Sequence, residues 1–262
     1  MRRRPSAGCD SMEYKSVFKR YELKYLMDEQ QAKTMYDAIH ENMRMDRYGI
    51  STVRNIYFDT PNYLLARDSI ERPMFKEKLR FRSYGTPAED DKVFVELKKK
   101  YDSVVYKRRL ALSLNEATDW FCGNGKGPDT QIGKEIGYMK VRYPDIRPAM
   151  LLSYDREAYC SDAYPDLRIT IDGNILARTE DVGLSSEIGG RPVLPEGYTL
   201  MEIKTMYGYP SWLTSALNSC SLYKSRFSKY GNAYKEMILG KMPEEFSGIP
   251  GGESTISQEG LA

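Results

Sequence analysis

Histidine is nearly absent from this chain of 262 residues, and cysteine is sparse. His40 is the one histidine, and it falls in a helix-like stretch that suits a surface or packing role. That argues against Ser-His-Asp and Cys-His chemistry. Cys9, Cys122, Cys160 and Cys220 lie far apart with no CxxC or CxxH spacing, which argues against a zinc site and against a disulfide framework. Charge of one sign is not in excess either. Lys plus Arg number 39 against 37 for Asp plus Glu, a formal charge of +2, so the general cationic coat of a nucleic-acid binder is missing. No apolar run approaches the roughly 18 residues of a membrane span. The opening MRRRPSAGCDSMEYKS has basic residues without an apolar run behind them, so it does not read as a secretory signal. These absences predict a soluble, cytoplasmic protein with no nucleic-acid partner and no direct membrane insertion.

What the chain has is charge arranged by position. In KEKLRFRSYG, residues 76 to 85, Lys78, Arg80 and Arg82 alternate with Glu77, Leu79 and Phe81. That is the period of a strand whose two faces meet different surroundings. The usual explanation, a polar face in water, weakens because the pattern recurs. FKRYELKYL (18 to 26) sets Arg20, Glu22 and Lys24 against Lys19, Tyr21, Leu23 and Tyr25. VRNIYFDT (53 to 60) has strand-type residues and ends at a Thr-Pro-Asn turn. KVFVELKKK (92 to 100) shares Phe94, Glu96 and Lys98 on one face, and SVVYKRRLALSL (103 to 114) puts Lys107 with Arg109. AMLLSYDREAYC (149 to 160) carries Tyr154 with Arg156, LRITID (167 to 172) carries Arg168, Thr170 and Asp172, and TLMEIKT (199 to 205) carries Glu202 with Lys204.

Helices fall between and after these strands. DEQQAKTMYDAIHENM (28 to 43) begins with Asp28 as a candidate N-cap, has Gln31 three residues on, and spaces Ala32, Met35, Tyr36, Ile39 and Met43 along one stripe. Shorter helices are predicted near 62–72, 115–121, 130–141, 211–220 and 229–239. GNGKGP (123 to 128) lacks the GxxxxGK[ST] spacing and reads as a loop. Residues 1–13 read as a disordered extension, its first eleven dispensable or the result of an upstream start, and the Gly- and Ser-rich 243–262 as a disordered tail around one domain over 14–242.

Strands with one charged face fit either an open sheet whose polar face is wet or a closed barrel with a charged interior. An open sheet would accept Ser, Thr, Gln and Asn on that face, yet the positions hold chiefly Arg, Lys and Glu, which favours a closed eight-stranded antiparallel barrel flanked by helices, an α+β fold. Two cations about 4 Å apart repel by on the order of 4 kcal/mol at an effective dielectric near 20, so such an interior should hold an anion. Glu22, Glu96, Asp172 and Glu202 are too few to neutralise the cations. The surplus suits a ligand with closely spaced negative charges, and repeated arginine suits phosphate, whose oxygens match the guanidinium fork. The carboxylates either pair with neighbouring cations or share a hard divalent ion with phosphate oxygens.

The ordered segments RYELKY, IYFDT, KLRFRSYG, VFVELKKKYDSVVYKRR, SYDREAY, RITID, LMEIKT and FSKYGNAY resemble the VTC domain, the polyphosphate polymerase branch of the triphosphate tunnel metalloenzymes in the CYTH superfamily. The resemblance covers about residues 14 to 239. It implies an eight-stranded tunnel and transfer of the ATP γ-phosphate onto a growing polyphosphate chain with a divalent metal, Mn2+ or Mg2+. It further implies that Arg80, Arg82, Lys98, Arg156, Lys204 and Lys229 take part in catalysis. Lys24, Lys78, Lys107, Arg109, Arg168 and Ser228 would bind phosphates, and Glu202 would be the principal metal ligand, with Glu22 and Glu96 as further candidates. One departure stands out: the superfamily is named for an ExExK strand, and RYELK carries Arg20 where the first Glu would stand, which argues against a two-metal arrangement. The phosphate-sensing region and membrane helices that accompany this domain in fungal complexes are absent from the sequence, so a free-standing catalytic domain is expected, and coupling to transport would require a membrane-protein partner encoded elsewhere.

Two other functions use the same residues. A hydrolase would cleave inorganic triphosphate or a nucleoside triphosphate, with water oriented by a carboxylate or a Tyr–Lys pair. A polyphosphate-binding module would hold the chain without turnover.

Overall fold

The structure is a computed structural model that describes residues 21–102 and 104–241. Arg20, Lys19, Cys9, the extension at 1–13 and the tail at 243–262 lie outside the described residues. In chain order the elements are β1 (Tyr21–Met27), α1 (Glu29–Asn42), β2 (Arg44–Asp59), α2 (Leu64–Glu71), β3 (Phe75–Tyr84), β4 (Lys92–Tyr101) and β5 (Val104–Ser113). They continue with α3 (Leu114–Cys122), α4 (Gln131–Arg142), β6 (Arg147–Cys160), β7 (Arg168–Arg178), the two-residue β8 (Arg191–Pro192), β9 (Thr199–Thr205), α5 (Ser211–Ser219) and α6 (Lys229–Met237). The hydrogen-bonded order is β1-β9-β7-β6-β2-β3-β4-β5 with β8 beside β7, an open path among the described residues. The expected antiparallel sheet with flanking helices is present, and the expected closure of that sheet into a barrel is not part of this path.

The described residues divide into two compact units. One comprises the residues up to Ile50, Arg156–Gly173 and Gly197–Arg226. In it β1 pairs with β9 and β9 with β7, all antiparallel. The register sets Leu23, Tyr25, Met201, Ile203, Ile169 and Ile171 on one face, and they pack with Met35 and Ile39 of α1 and Leu213 and Leu217 of α5. The helix α1 begins as its sequence requires: Asp28 accepts from the Gln31 amide at 2.8 Å and Gln31 answers the Asp28 amide at 3.1 Å, a reciprocal cap.

The other unit comprises Ser51–Asp155, Asn174–Glu196 and the residues from Phe227 on. Here β2, β3, β4 and β5 form consecutive antiparallel ladders. Ile56, Phe58, Leu79, Phe81, Val93, Val95 and Leu97 point to one side and bury against Trp120 and Phe121 of α3 and Ile136 and Met139 of α4. Both units thus follow one rule: alternate residues bury an apolar face under helices, and the intervening residues carry the charge.

Two elements are longer than their sequence pattern indicates. The strand β2 starts at Arg44 rather than 53, through a stretch whose residues are largely exposed and do not alternate in polarity. The strand β7 continues past Gly173 to Arg178 although Asn174 takes a left-handed conformation at φ 48°. Among the described residues, no helix is long and apolar enough to cross a membrane.

Candidate phosphate-binding site

In the unit built on β2 to β5, strand register alone brings the cations together. Arg80 stands directly across from Glu96, and Glu96 directly across from Arg109. Glu96 is almost fully buried, and four cations surround its carboxylate. Arg80 reaches one oxygen at 2.8 Å through Nη2 and 2.9 Å through Nε, and Lys107 reaches the other at 2.7 Å. Arg109 stands at 3.4 Å and Arg82 at 3.9 Å. Burial works against the charge of Glu96, but Arg80, Arg82 and Lys107 hold its carboxyl far below the usual carboxylate range. Burial likewise pulls the Lys107 ammonium down to about 8, against the stabilising pull of Glu96.

Arg80, Arg82 and Arg109 are each also aimed by a second partner. Arg80 donates from Nη1 to the Tyr57 hydroxyl at 3.0 Å, and Arg82 donates to Asn55 Oδ1 at 2.9 Å and to the Tyr154 hydroxyl at 3.3 Å. Arg109 lies over the Phe94 ring at 3.4 Å. Tyr57 stacks on Tyr230 with centroids 4.2 Å apart and planes 6° from parallel. The Tyr230 hydroxyl donates to buried Asp59 at 2.6 Å, and Asp59 accepts in turn from the Leu65 and Ala66 amides that open α2, each at 2.9 Å. This chain of contacts fixes the start of α6. Its cap, Ser228, accepts from the Gly231 amide at 3.2 Å and from Lys78 Nζ at 3.1 Å, while buried Lys229 holds its ammonium 4.7 Å over the Tyr154 ring. Lys98 stands in register between Lys78 and Lys107.

In the unit built on β1, β9 and β7, a second carboxylate is the centre. Glu202 is opposite Lys24 on β1 and Thr170 on β7, and Lys204 is opposite Glu22 and Arg168. Lys24, Lys204 and Arg156 stand 3.4, 3.7 and 3.9 Å from the Glu202 oxygens. Arg156 makes a two-pronged contact with fully buried Asp172, 2.6 Å on each side. Arg168 instead turns to Asp46 at 2.7 Å in a half-exposed pair.

The two carboxylates differ as metal ligands. Both oxygens of Glu96 are taken by cations within 2.9 Å, so a divalent ion there would meet an established ring of positive charge. Lys24, Lys204 and Arg156 stand 3.4 to 3.9 Å from the Glu202 oxygens, and Glu202 shares a sheet face with Glu22 on the neighbouring strand. A hard ion held by one or two carboxylates and completed by phosphate oxygens suits that donor set. Among the described residues, no group of three or more His, Cys, Asp or Glu side chains is arranged to hold an ion alone.

The sequence pattern indicated the cations and missed their supports. Asn55, Tyr57 and Asp59 alternate along VRNIYFDT, but the sequence does not show their contacts with Arg82, Arg80 and Tyr230, which join segments distant in the chain. Asp172 was legible as an acid on the charged face of its strand, though not as the partner of Arg156.

The family model of the VTC domain matches residues 19–238. The chain belongs to the VTC domain family. A relative of this VTC chain is vacuolar transporter chaperone complex subunit 4 of Trypanosoma brucei brucei, 23% identical over 221 residues, which cover 70% of this chain and 28% of the relative. The VTC chain thus spans just over a quarter of that protein. Among solved structures, a protein of Bacillus halodurans described as an adenylate cyclase is 16% identical, with TM-score 0.49, covering 79% of this chain and 92% of its own. A Hippeastrum protein described as an adenylyl cyclase with a dominant triphosphatase activity is 15% identical, with TM-score 0.49, covering 83% and 96%.

Proposed function

We propose that this VTC chain is a metal-dependent polyphosphate polymerase that moves the ATP γ-phosphate onto the end of an inorganic polyphosphate chain. The observation that carries the reading is the set of four cations converging on Glu96, with Arg80 and Arg82 each aimed by a tyrosine. Membership of the VTC family supports it. Phosphoryl transfer needs alignment and charge neutralisation more than covalent help. The terminal oxygen of the acceptor chain is already anionic; it bonds to the γ-phosphorus as the bond to the β-bridging oxygen breaks and ADP leaves. No proton has to move, so the scarcity of histidine is no obstacle.

Within this reading Arg80, Arg82, Lys98 and Lys229 in one unit, and Arg156 and Lys204 in the other, are each assigned to catalysis. Lys24, Lys78, Lys107, Arg109 and Ser228 are assigned to phosphate binding. Arg168, turned to Asp46, is assigned to the approach of the ligand. Mn2+ or Mg2+ would be held by Glu202 with Glu22, and when bound it would supply charge neutralisation on phosphate oxygens. Glu96 we assign to organising cations in preference to holding metal. The eight-stranded tunnel over residues 14–242 and a cytoplasmic setting, with any transport coupled through a separate membrane protein, belong to the same proposal.

A hydrolase of tripolyphosphate or nucleoside triphosphate is the second reading, favoured by Lys229 against Tyr154, a pair with groups suited to orienting water. Arg80→Ala in purified protein tests the assignment of the site. Turnover of ATP should nearly vanish while the thermal transition persists; full turnover would contradict it.

A further inference from the structure

We infer that Thr170 belongs to the Glu202 site as a positioning residue, its hydroxyl binding the water shell of the divalent ion held there. The inference rests on the proposed function for the presence of an ion at Glu202, and it names a residue that orders the waters of that ion. Thr170 lies directly across from Glu202 in the β7–β9 ladder. Its neighbours Ile169 and Ile171 point into the apolar core under α1 and α5, so Thr170 stands on the other face, in one row with Glu202 of β9 and Lys24 of β1. The row lies wholly within one compact unit.

Thr170 is 2% exposed, and its Oγ1 has no hydrogen-bond partner among the described residues. Buried hydroxyls are normally paired, and an unpaired one disfavours the folded state. The strand itself does not require it, since valine has the same branched shape and also favours strands. Donors stand nearby without being spent on it. Arg156 reaches Asp172, two residues along the strand from Thr170, at 2.6 Å and stands 3.9 Å from Glu202 across the ladder. A hard divalent ion bound by one or two carboxylates keeps several waters, and their hydrogens need acceptors. In this row lysine supplies donors only and Glu202 holds the ion, which leaves Thr170 to supply the uncharged acceptor. A hydroxyl also donates, so Thr170 can accept from a water of the shell and give its own proton to the hydrogen bond with the carboxylate opposite.

The test is ion binding without turnover, with Mn2+ as the probe. Free Mn2+ is followed by its paramagnetic resonance signal during titration with the full chain, alone and with tripolyphosphate, against tripolyphosphate without protein. Binding lost in Glu202→Gln assigns the ion to Glu202. Thr170→Val should then weaken Mn2+ by roughly tenfold, as expected when a group that orders a metal's surroundings is removed, and Thr170→Ser should keep the affinity within about threefold. Without ion or phosphate, Thr170→Val should unfold at or above the wild-type temperature, which a hydroxyl kept for structure would not allow. Thr199 provides the control. Its Oγ1 is likewise buried without a partner among the described residues, but it shares the apolar face of Met201 and Ile203, so Thr199→Val should leave Mn2+ binding unchanged. Wild-type affinity in Thr170→Val, a lower transition temperature, or a loss of tripolyphosphate affinity that is the same with and without Mn2+ would each overturn the inference. A wild type that binds no Mn2+, or binds it independently of Glu202, contradicts the ion at Glu202 and the role of Thr170 with it; Mn2+ bound through Glu202 but indifferent to Thr170 overturns the second alone.

Discussion

Replacing Glu96 with glutamine keeps the shape of the side chain and removes the one negative charge shared by Arg80, Arg82, Lys107 and Arg109. Leaving a buried charge without its partner costs about 3–5 kcal/mol. The cations here are partly solvated, with Arg80 23%, Arg109 37% and Lys107 47% exposed, which brings the expectation down to about 2–3 kcal/mol. For a protein of this size that is a loss of roughly 4–12 °C in transition temperature. Two further signatures separate lost charge from general damage. The folded Glu96 carboxyl lies below its free value of 4.5, so its contribution is complete above that pH and is lost as the pH falls toward the folded value. The gap between wild type and Glu96→Gln should therefore close in acid. Tripolyphosphate should raise the transition temperature more in the variant than in the wild type, because the anion replaces the missing counter-charge. Thermal denaturation at pH 7 and pH 4, with and without tripolyphosphate, reads all three effects. A variant as stable as wild type at pH 7 without anion would refute the reasoning.

Lys107 titrates from about 8 in the folded protein against 10.5 when free, so the unfolded chain binds more protons between those values and stability should rise with pH across that window. Tripolyphosphate affinity should fall as pH rises through about 8, and Lys107→Arg should abolish that fall; titration calorimetry at pH 7 and pH 9 checks both. Glu202→Gln should remove activity together with its dependence on Mn2+, whereas turnover that still responds to the metal would place the ion elsewhere. Tyr230→Phe leaves buried Asp59 one donor short and should cost about 1–3 kcal/mol in a denaturant titration; an unchanged midpoint would remove Tyr230 from the support of α6.

The parts of the structure governed by local period were legible in the sequence. Alternation along 76 to 85 and 92 to 100 gave the faces of β3 and β4 correctly, and the cap formed by Asp28 and Gln31 marked the start of α1. Where the signal is not local it failed. The first half of β2 has no alternation to read because its residues are mostly exposed, and Tyr57, Tyr230 and Asp59 become a unit only when β2, α2 and α6 pack together. The strand motifs named the cations around Glu96 but could not show that they converge on that carboxylate. That convergence depends on cross-strand register, which a single sequence does not contain.

The central claim is that phosphate leaves ATP for a chain. Purified protein incubated with Mn2+ and ATP labelled at the γ-phosphate tests it directly, by separating long-chain polyphosphate from orthophosphate. The account predicts label in the chain with release of ADP in proportion; label in orthophosphate alone, or no release of ADP, would contradict it.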